Sequence, residues 1–66
     1  MYTEGSCVRI ISQDSPHVGE LGLVVSSNRL SDTLEEVYAV KVLLVDGLIY
    51  LFHSRELSIV ALSENY

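Results

Sequence analysis

Apolar residues dominate positions 37–52 in two runs that a short polar pair separates. The runs read VYAVKVLLV and LIYLF, and both are rich in the β-branched and aromatic residues typical of strands. Between them stands Asp46-Gly47, and Asp-Gly between two such runs is one of the strongest short-range signals for a hairpin. The pattern therefore predicts a β-hairpin over Val37–Phe52, with Asp46 and Gly47 as its turn.

Pairing the two runs across a two-residue turn divides the hairpin into two faces, and both are apolar. In this register Val45 lies opposite Leu48, and Lys41 lies opposite Phe52. The first face holds Tyr38, Val40, Val42, Leu44, Ile49 and Leu51. We assign it to the core, because aliphatic side chains fill small barrels well. The second face holds Val37, Ala39, Lys41, Leu43, Val45, Leu48, Tyr50 and Phe52.

The second face is the predicted partner-binding site. A hairpin with one solvated face alternates apolar and polar residues, whereas this face is apolar around Lys41. The alternative is that the polar segment 28–36 or the C-terminal tail covers the face, although these segments hold few apolar groups. We predict that the partner is contacted by Val37, Lys41, Leu43, Tyr50 and Phe52.

Shorter apolar runs on either side of the hairpin predict three further strands. These strands are expected at Cys7–Ser12, Leu21–Ser27 and Leu57–Leu62. Turn-forming residues fill positions 13–20, and a polar loop spans positions 28–36. The short segment His53–Glu56 is predicted to form one turn of 3₁₀ helix.

Five short strands without a convincing helix predict a small all-β barrel or sandwich. We expect one domain over residues 1–66, with flexible ends at 1–6 and 63–66. The order of the elements, with a compact hairpin and a tight turn before the last strand, is similar to that of an SH3-like barrel.

The segment Val8–Val24 reads VRIISQDSPHVGELGLV and resembles the KOW motif, in which a strand, a proline turn and a Gly-x-x-Gly-x-Val step follow one another. Pro16 corresponds to the turn proline, and Gly19, Gly22 and Val24 correspond to the second half. Pro16 is expected to stiffen the turn, Gly19 to adopt a positive φ, and Gly22 to let the strand coil or bulge. The resemblance implies a five-stranded SH3-like barrel of the KOW type.

Two features separate the chain from nucleic-acid-binding KOW modules and link it to accessory subunits. Ribosomal and transcription-elongation modules place basic residues around these glycines, whereas this chain has Val18, Glu20 and Leu23 there, and Ser15 in place of the first glycine. The segment Phe52–Val60, FHSRELSIV, is similar to the ending of small barrel subunits attached to redox complexes. Those subunits dock to or stabilise their complexes and are not catalysts, so this resemblance implies an accessory role.

The chain is short, acidic and rich in apolar residues. Its 66 residues leave room for one thin core, yet 48% of them are hydrophobic and the mean hydropathy is +0.33, a surplus typical of an interface. Four basic residues oppose nine acidic ones, and the net charge of −5 disfavours nucleic acid as the partner. One cysteine, no signal-peptide pattern and no apolar run long enough for a membrane helix predict a soluble, cytoplasmic domain without membrane insertion.

No arrangement of polar residues predicts catalysis or cofactor binding. The soft metal ligands Cys7, His17 and His53 lack the paired spacing of zinc sites. Asp14, Ser15 and His17 lie on one turn, where they cannot adopt the geometry of a hydrolytic triad. The sequence has no phosphate-binding loop or dinucleotide fingerprint, and so small a barrel offers little volume for a substrate. We therefore predict no enzyme, no metal, no cofactor and no small-molecule substrate.

These observations predict a non-catalytic, SH3-like interaction or accessory subunit that docks through the apolar hairpin face into a larger assembly or a homo-oligomer. One alternative is an RNA- or ribosome-associated KOW module that uses Arg9, Arg29, Lys41 and Arg55. Another is a small viral or mobile-element protein that binds a host complex. Binding of proline-rich peptides is disfavoured, because the segment 13–20 has no aromatic residue and the chain has no tryptophan.

Overall fold

Five strands form one antiparallel sheet, and buried positions alternate with more exposed ones along the first four of them, as expected from an apolar pattern with a period of two. The computed structural model describes residues 2–30 and 37–62. In this part of the chain the strands are β1 (Cys7–Ile10), β2 (Leu21–Arg29), β3 (Tyr38–Leu44), β4 (Ile49–His53) and β5 (Leu57–Ala61). A 3₁₀ helix, Ser54–Glu56, connects β4 to β5 where the sequence predicts one.

The strands follow the order β4-β3-β2-β1-β5 across the sheet, and every neighbouring pair is antiparallel. The last strand therefore lies beside the first, and β4 and β5 form the two edges. Because these edges do not pair with each other, the sheet is not closed into a barrel. The predicted all-β class with five strands is confirmed, while the predicted closure is not observed. Part of the predicted loop 28–36 belongs to β2, and residues 31–36 and the tail 63–66 lie outside the described residues.

The inner face of the sheet carries the hydrophobic core. All five strands contribute buried residues to it, namely Val8, Ile10, Val24, Val40, Val42, Leu44, Phe52 and Leu57. Complete burial of one such side chain contributes about 1.5–3 kcal/mol. Tyr2, Tyr38 and Tyr50 pack against the margin of this cluster. Because every strand supplies a core residue, the core depends on the register of each strand pair.

Residues 2–6 make contacts that the prediction of a flexible end did not include. The Tyr2 hydroxyl donates to the Ser54 carbonyl over 3.1 Å. The Tyr2 ring meets the Tyr38 ring edge-on, with centroids 6.0 Å apart, and burial raises the pKa of the Tyr2 phenol. Ser6 is fully buried and its hydroxyl lies 2.7 Å from that of Thr3. The N-terminal segment therefore bridges β3 and the 3₁₀ helix.

The connection between β1 and β2 is a series of tight turns, as its composition predicts. On either side of Pro16, the His17 N–H donates to the Ser15 hydroxyl over 3.1 Å. Gly19 has the expected positive φ, 87°, and its N–H donates to the Ile10 carbonyl over 2.7 Å. These hydrogen bonds return the chain to the sheet at the start of β2.

The β3–β4 hairpin closes through three residues, 45–47, and not through the predicted two. The Gly47 N–H donates to the Leu44 carbonyl over 3.0 Å, and the Leu44 N–H donates to the Leu48 carbonyl over 3.0 Å. Gly47 has a φ of 83°, which the third residue of such a loop needs and which glycine adopts without steric penalty. The Asp46 carboxylate also accepts the Leu48 N–H over 2.9 Å, so Asp46 and Gly47 do form the turn.

The longer loop moves the hairpin register by one residue from the predicted one. Phe52 lies opposite Val40, where Lys41 was expected. A shift of one residue exchanges the two faces of a strand. The shift leaves β3 as predicted, with its predicted inner residues on the inner face. In β4 the two faces are exchanged, so the predicted faces of this strand are wrong. Phe52 is only 6% exposed, whereas Leu51 is 67% exposed.

Gly22 allows β2 and β3 to approach each other closely on the inner face. A Cβ atom at this position would collide with the Val42 side chain, and it would lie 2.8 Å from Leu44 Cδ2 and 2.9 Å from the Leu43 carbonyl oxygen. The bulge of β2 lies further along, around Val25, and not at the glycine. Close packing between the strands therefore explains why position 22 lacks a side chain.

Gly22→Ala is expected to lower the free energy of unfolding by about 1–3 kcal/mol, because the added methyl group overpacks the inner face against Val42 and Leu44. Urea denaturation followed by circular dichroism measures the change. Ser58→Ala, at an exposed position of β5, is the control and should stay within about 0.5 kcal/mol of the wild type. A Gly22→Ala variant as stable as the wild type would contradict the close approach.

Two alanine substitutions in β4 test the register of the hairpin. Phe52→Ala is expected to cost about 3–5 kcal/mol, because it removes a buried ring from the core. Leu51→Ala is expected to change the free energy of unfolding by less than about 0.5 kcal/mol, because its side chain is solvated. Guanidinium chloride denaturation compares the two variants. If Leu51→Ala were the more damaging change, the register predicted from the sequence would be right and the observed one wrong.

Candidate protein-interaction face

A continuous group of apolar side chains covers the outer face of the sheet, opposite the core. Cross-strand pairing places Ile49 beside Leu43, Leu43 beside Leu23, and Leu23 beside Cys7. Ile49 is 56% exposed and Leu23 is 48% exposed. The outer apolar face, as we name it, consists of Cys7, Leu21, Leu23, Leu43, Ile49 and Leu51. It runs over four neighbouring strands, which is far more than the scattered apolar residues of an ordinary solvated sheet face.

An open depression of about 250 Å³ lies in the outer apolar face. Its lining consists of Cys7, Leu21, Gly22, Leu23, Leu43, Leu44 and Val45. This volume is below the roughly 300–1,000 Å³ of small-molecule pockets, and the lining has no charged side chain. The depression therefore suits an apolar side chain of a partner better than a reacting substrate.

The described strands carry basic side chains and no acidic ones. No described strand contains an aspartate or glutamate, although the chain has nine acidic residues, whereas Arg9, Arg29 and Lys41 all lie in strands. Arg9 pairs with Leu21, and Lys41 pairs with Leu51, which places both cations on the outer face. Neither cation forms an ion pair within the described residues. The outer face is therefore apolar and positive in a chain whose net charge is −5.

The structure separates the five residues that the sequence assigned to one partner-binding face. Lys41 and Leu43 lie on the outer face, and Lys41 is exposed. Phe52 is in the core, and Tyr50 packs against the margin of the core. Val37 precedes β3 and is half-buried, and its carbonyl accepts the Leu30 N–H over 2.8 Å. The two aromatic side chains therefore do not belong to the exposed apolar surface.

Five members of the outer apolar face were absent from the predicted site, namely Cys7, Leu21, Leu23, Ile49 and Leu51. Ile49 and Leu51 were placed in the core by the two-residue turn. Leu21 and Leu23 alternate with Gly22 and Val24 along β2. Because the inward-facing position 22 is a glycine, the sequence does not show which face of this strand is the inner one. A three-residue Asp-Gly hairpin would place Ile49 and Leu51 on the outer face.

A polar and aromatic cluster lies at the margin of the inner face, between the β1–β2 connection and the hairpin. The His17 ring contacts the Tyr50 ring with centroids 4.5 Å apart, and His17 Nδ1 lies 3.0 Å from Glu20 Oε2. The Tyr50 hydroxyl donates to the Asp46 carboxylate. This bond, followed by that from the Leu48 N–H, lowers the pKa of Asp46, and the same bond raises the pKa of Tyr50. These contacts join the β1–β2 connection to the turn of the hairpin.

The side chains of His53, the second histidine, and of Glu56 cap the 3₁₀ helix. The Arg55 N–H donates to His53 Nδ1 over 3.1 Å, and the His53 N–H donates to Glu56 Oε1 over 3.0 Å. Within residues 2–30 and 37–62, no three His, Cys, Asp or Glu side chains come close enough together to hold a metal ion. Cys7 is a free thiol on the outer face.

The comparisons with known proteins identify no relative of this chain. A scan against protein-family models finds no match, and searches of the curated proteins and of the solved structures find no significant similarity. In the described part of the chain, no helix has the length and apolar character needed to cross a membrane.

Tyr50→Phe is expected to raise the pKa of Asp46 towards the ordinary value of an aspartate, because the main hydrogen bond to the carboxylate is lost. A ¹³C NMR titration of the Asp46 carboxyl carbon measures this pKa. Because the pKa of Asp46 is lowered in the folded state, its contribution to stability is present above the unfolded pKa and is lost as the pH falls through the folded pKa.

The stability difference between the wild type and Tyr50→Phe should therefore be present at neutral pH and shrink on acidification. Tyr38→Phe removes a hydroxyl elsewhere on the core margin and is expected to leave the pKa of Asp46 unchanged. An unchanged Asp46 pKa in Tyr50→Phe would show that the hydrogen bond does not form in solution.

Proposed function

We propose that this chain is a non-catalytic interaction or accessory subunit that docks into a larger protein assembly through its outer apolar face. The observation that supports the proposal is the continuous, solvent-exposed group from Ile49 to Cys7. Monomeric proteins seldom leave such a surface in water, since covering it with a partner is favourable by about 25 cal/mol for each Å² of apolar area.

The dimensions of the domain also support docking through this face. The fold is slab-shaped, with extents of 33 × 32 × 18 Å. A standard interface buries about 800 Å² on each partner. The broad side of the slab, 33 × 32 Å, is large enough for one such interface.

We also propose that the open five-stranded sheet is SH3-like in its order of elements. The support is the strand order β4-β3-β2-β1-β5, together with the 3₁₀ helix between β4 and β5. The turn series at 11–20 and the hairpin at 45–47 occupy the positions expected of this class. The chain differs from a closed barrel because its edge strands, β4 and β5, do not pair with each other.

RNA association is the weaker candidate. Sequence-specific RNA-binding modules stack bases on exposed aromatic rings, whereas the described outer face carries none, because Tyr50 and Phe52 point inwards. Two outer cations, Arg9 and Lys41, would also neutralise few phosphates. These considerations favour a protein partner.

Site-specific photo-crosslinking in the source organism tests the docking function. A photo-crosslinking phenylalanine analogue at position 51 is expected to yield a discrete adduct of higher mass, because this position lies on the outer apolar face. The same analogue at position 18, an exposed site on the β1–β2 connection, is the matched control and should not yield it. No adduct from position 51, or the same adduct from both positions, would contradict docking through this face.

A further inference from the structure

We infer that the outer apolar face binds an acidic amphipathic helix, in which carboxylates flank a stripe of leucine-like side chains on both sides. The inference rests on the proposed docking function and adds the chemistry of the partner. It rests on the positions, relative to the apolar row, of Arg9 and Lys41, which form no ion pair within the described residues.

The two cations flank the central row on opposite sides. The row runs from Ile49 through Leu43 and Leu23 to Cys7. Arg9 lies two residues beyond Cys7 in β1, and Lys41 lies two residues before Leu43 in β3. Since the two strands are both antiparallel to β2, these steps lead in opposite directions from the row. From strand spacings of about 4.8 Å and rises of about 3.3 Å per residue, the two Cα atoms are roughly 16 Å apart on a diagonal.

A helix matches this arrangement, whereas an extended segment does not. The row crosses three gaps between strands, or about 14 Å, which corresponds to nine or ten residues of α-helix at about 1.5 Å per residue. A helix of about 10 Å diameter laid over the row can present acidic side chains on both flanks of its apolar stripe. In a strand the residues next to the apolar ones point away from the surface, so they cannot reach both cations.

Charge also argues against a second copy of the chain on this face. A two-fold dimer brings the same patch of both copies together. Each copy would contribute Arg9 and Lys41, and no described strand would supply a carboxylate to either. Unpaired like charges at an interface oppose association. An anionic membrane is disfavoured as well, because two cations fall short of the cluster of about four to eight Lys or Arg that binds such a surface.

Two fluorescein-labelled helical peptides test the inference on the full chain. Both are 18 residues long with one stripe of leucines, and the stripe is flanked by glutamates in one peptide and by lysines in the other. Fluorescence anisotropy at low salt is expected to show at least tenfold tighter binding of the glutamate peptide. The preference should shrink at high salt, as screened charges require.

Variants on the outer face test which side chains determine the binding of the two peptides. The double change Arg9→Glu and Lys41→Glu is expected to reverse the preference towards the lysine peptide. Leu51→Asp is expected to weaken binding of the glutamate peptide at least tenfold. Leu62→Asp makes the same chemical change at a comparably exposed position after β5 and should leave binding unchanged. Circular dichroism spectra identical to that of the wild type verify that each variant is folded.

Three results would overturn the inference. Equal affinity for both peptides would show an apolar face without charge selection. A concentration-dependent dimer in sedimentation, abolished by Leu51→Asp, would identify a second copy as the occupant. Tighter binding to phosphatidylcholine–phosphatidylserine vesicles than to the glutamate peptide would identify a membrane. In the first two cases an adduct at position 51 would still support docking between proteins, so the failure of the inference is distinguishable from failure of the proposed function.

Discussion

The positive φ of Gly47 decides which side chains of β4 face the core and which face solvent. With this residue as the third member of the loop, Phe52 pairs with Val40 and completes the inner face. The same register leaves Ile49 and Leu51 on the outside, where they join leucines from β2 and β3. Both the core and the outer apolar face thus depend on one backbone conformation at the hairpin tip.

Local features of the sequence predicted the elements well. The alternation within β3 predicted its inner residues, because alternation inside a strand does not depend on its neighbour. The 3₁₀ helix at Ser54–Glu56 and the hairpin at Asp46-Gly47 follow from short-range preferences of the same kind. The local sequence does not determine the length of the hairpin loop, since Asp-Gly is compatible with two-residue and three-residue loops. One residue of difference was sufficient to exchange the faces of β4.

The candidate face was harder to predict than the elements, because it is assembled from three different strand pairs. Leu23 and Leu43 are twenty residues apart in sequence and become neighbours only through the β2–β3 pairing. Net charge did not predict the face either, since the acidic residues of the described chain lie outside its strands while Arg9 and Lys41 lie on the sheet. A local surface of one sign inside a chain of the other sign becomes visible only from the topology.

The close approach at Gly22 has a consequence for how this sequence can change over generations. The space that a side chain at position 22 would need is already filled by Val42 and Leu44 of the neighbouring strand. An alanine there needs smaller residues at positions 42 and 44 together with a shift of the Leu43 carbonyl, and a smaller residue at either position leaves a void unless position 22 grows. In divergent descendants of this chain, the three positions are therefore expected to vary as a group, and Gly22 is the member that must change last.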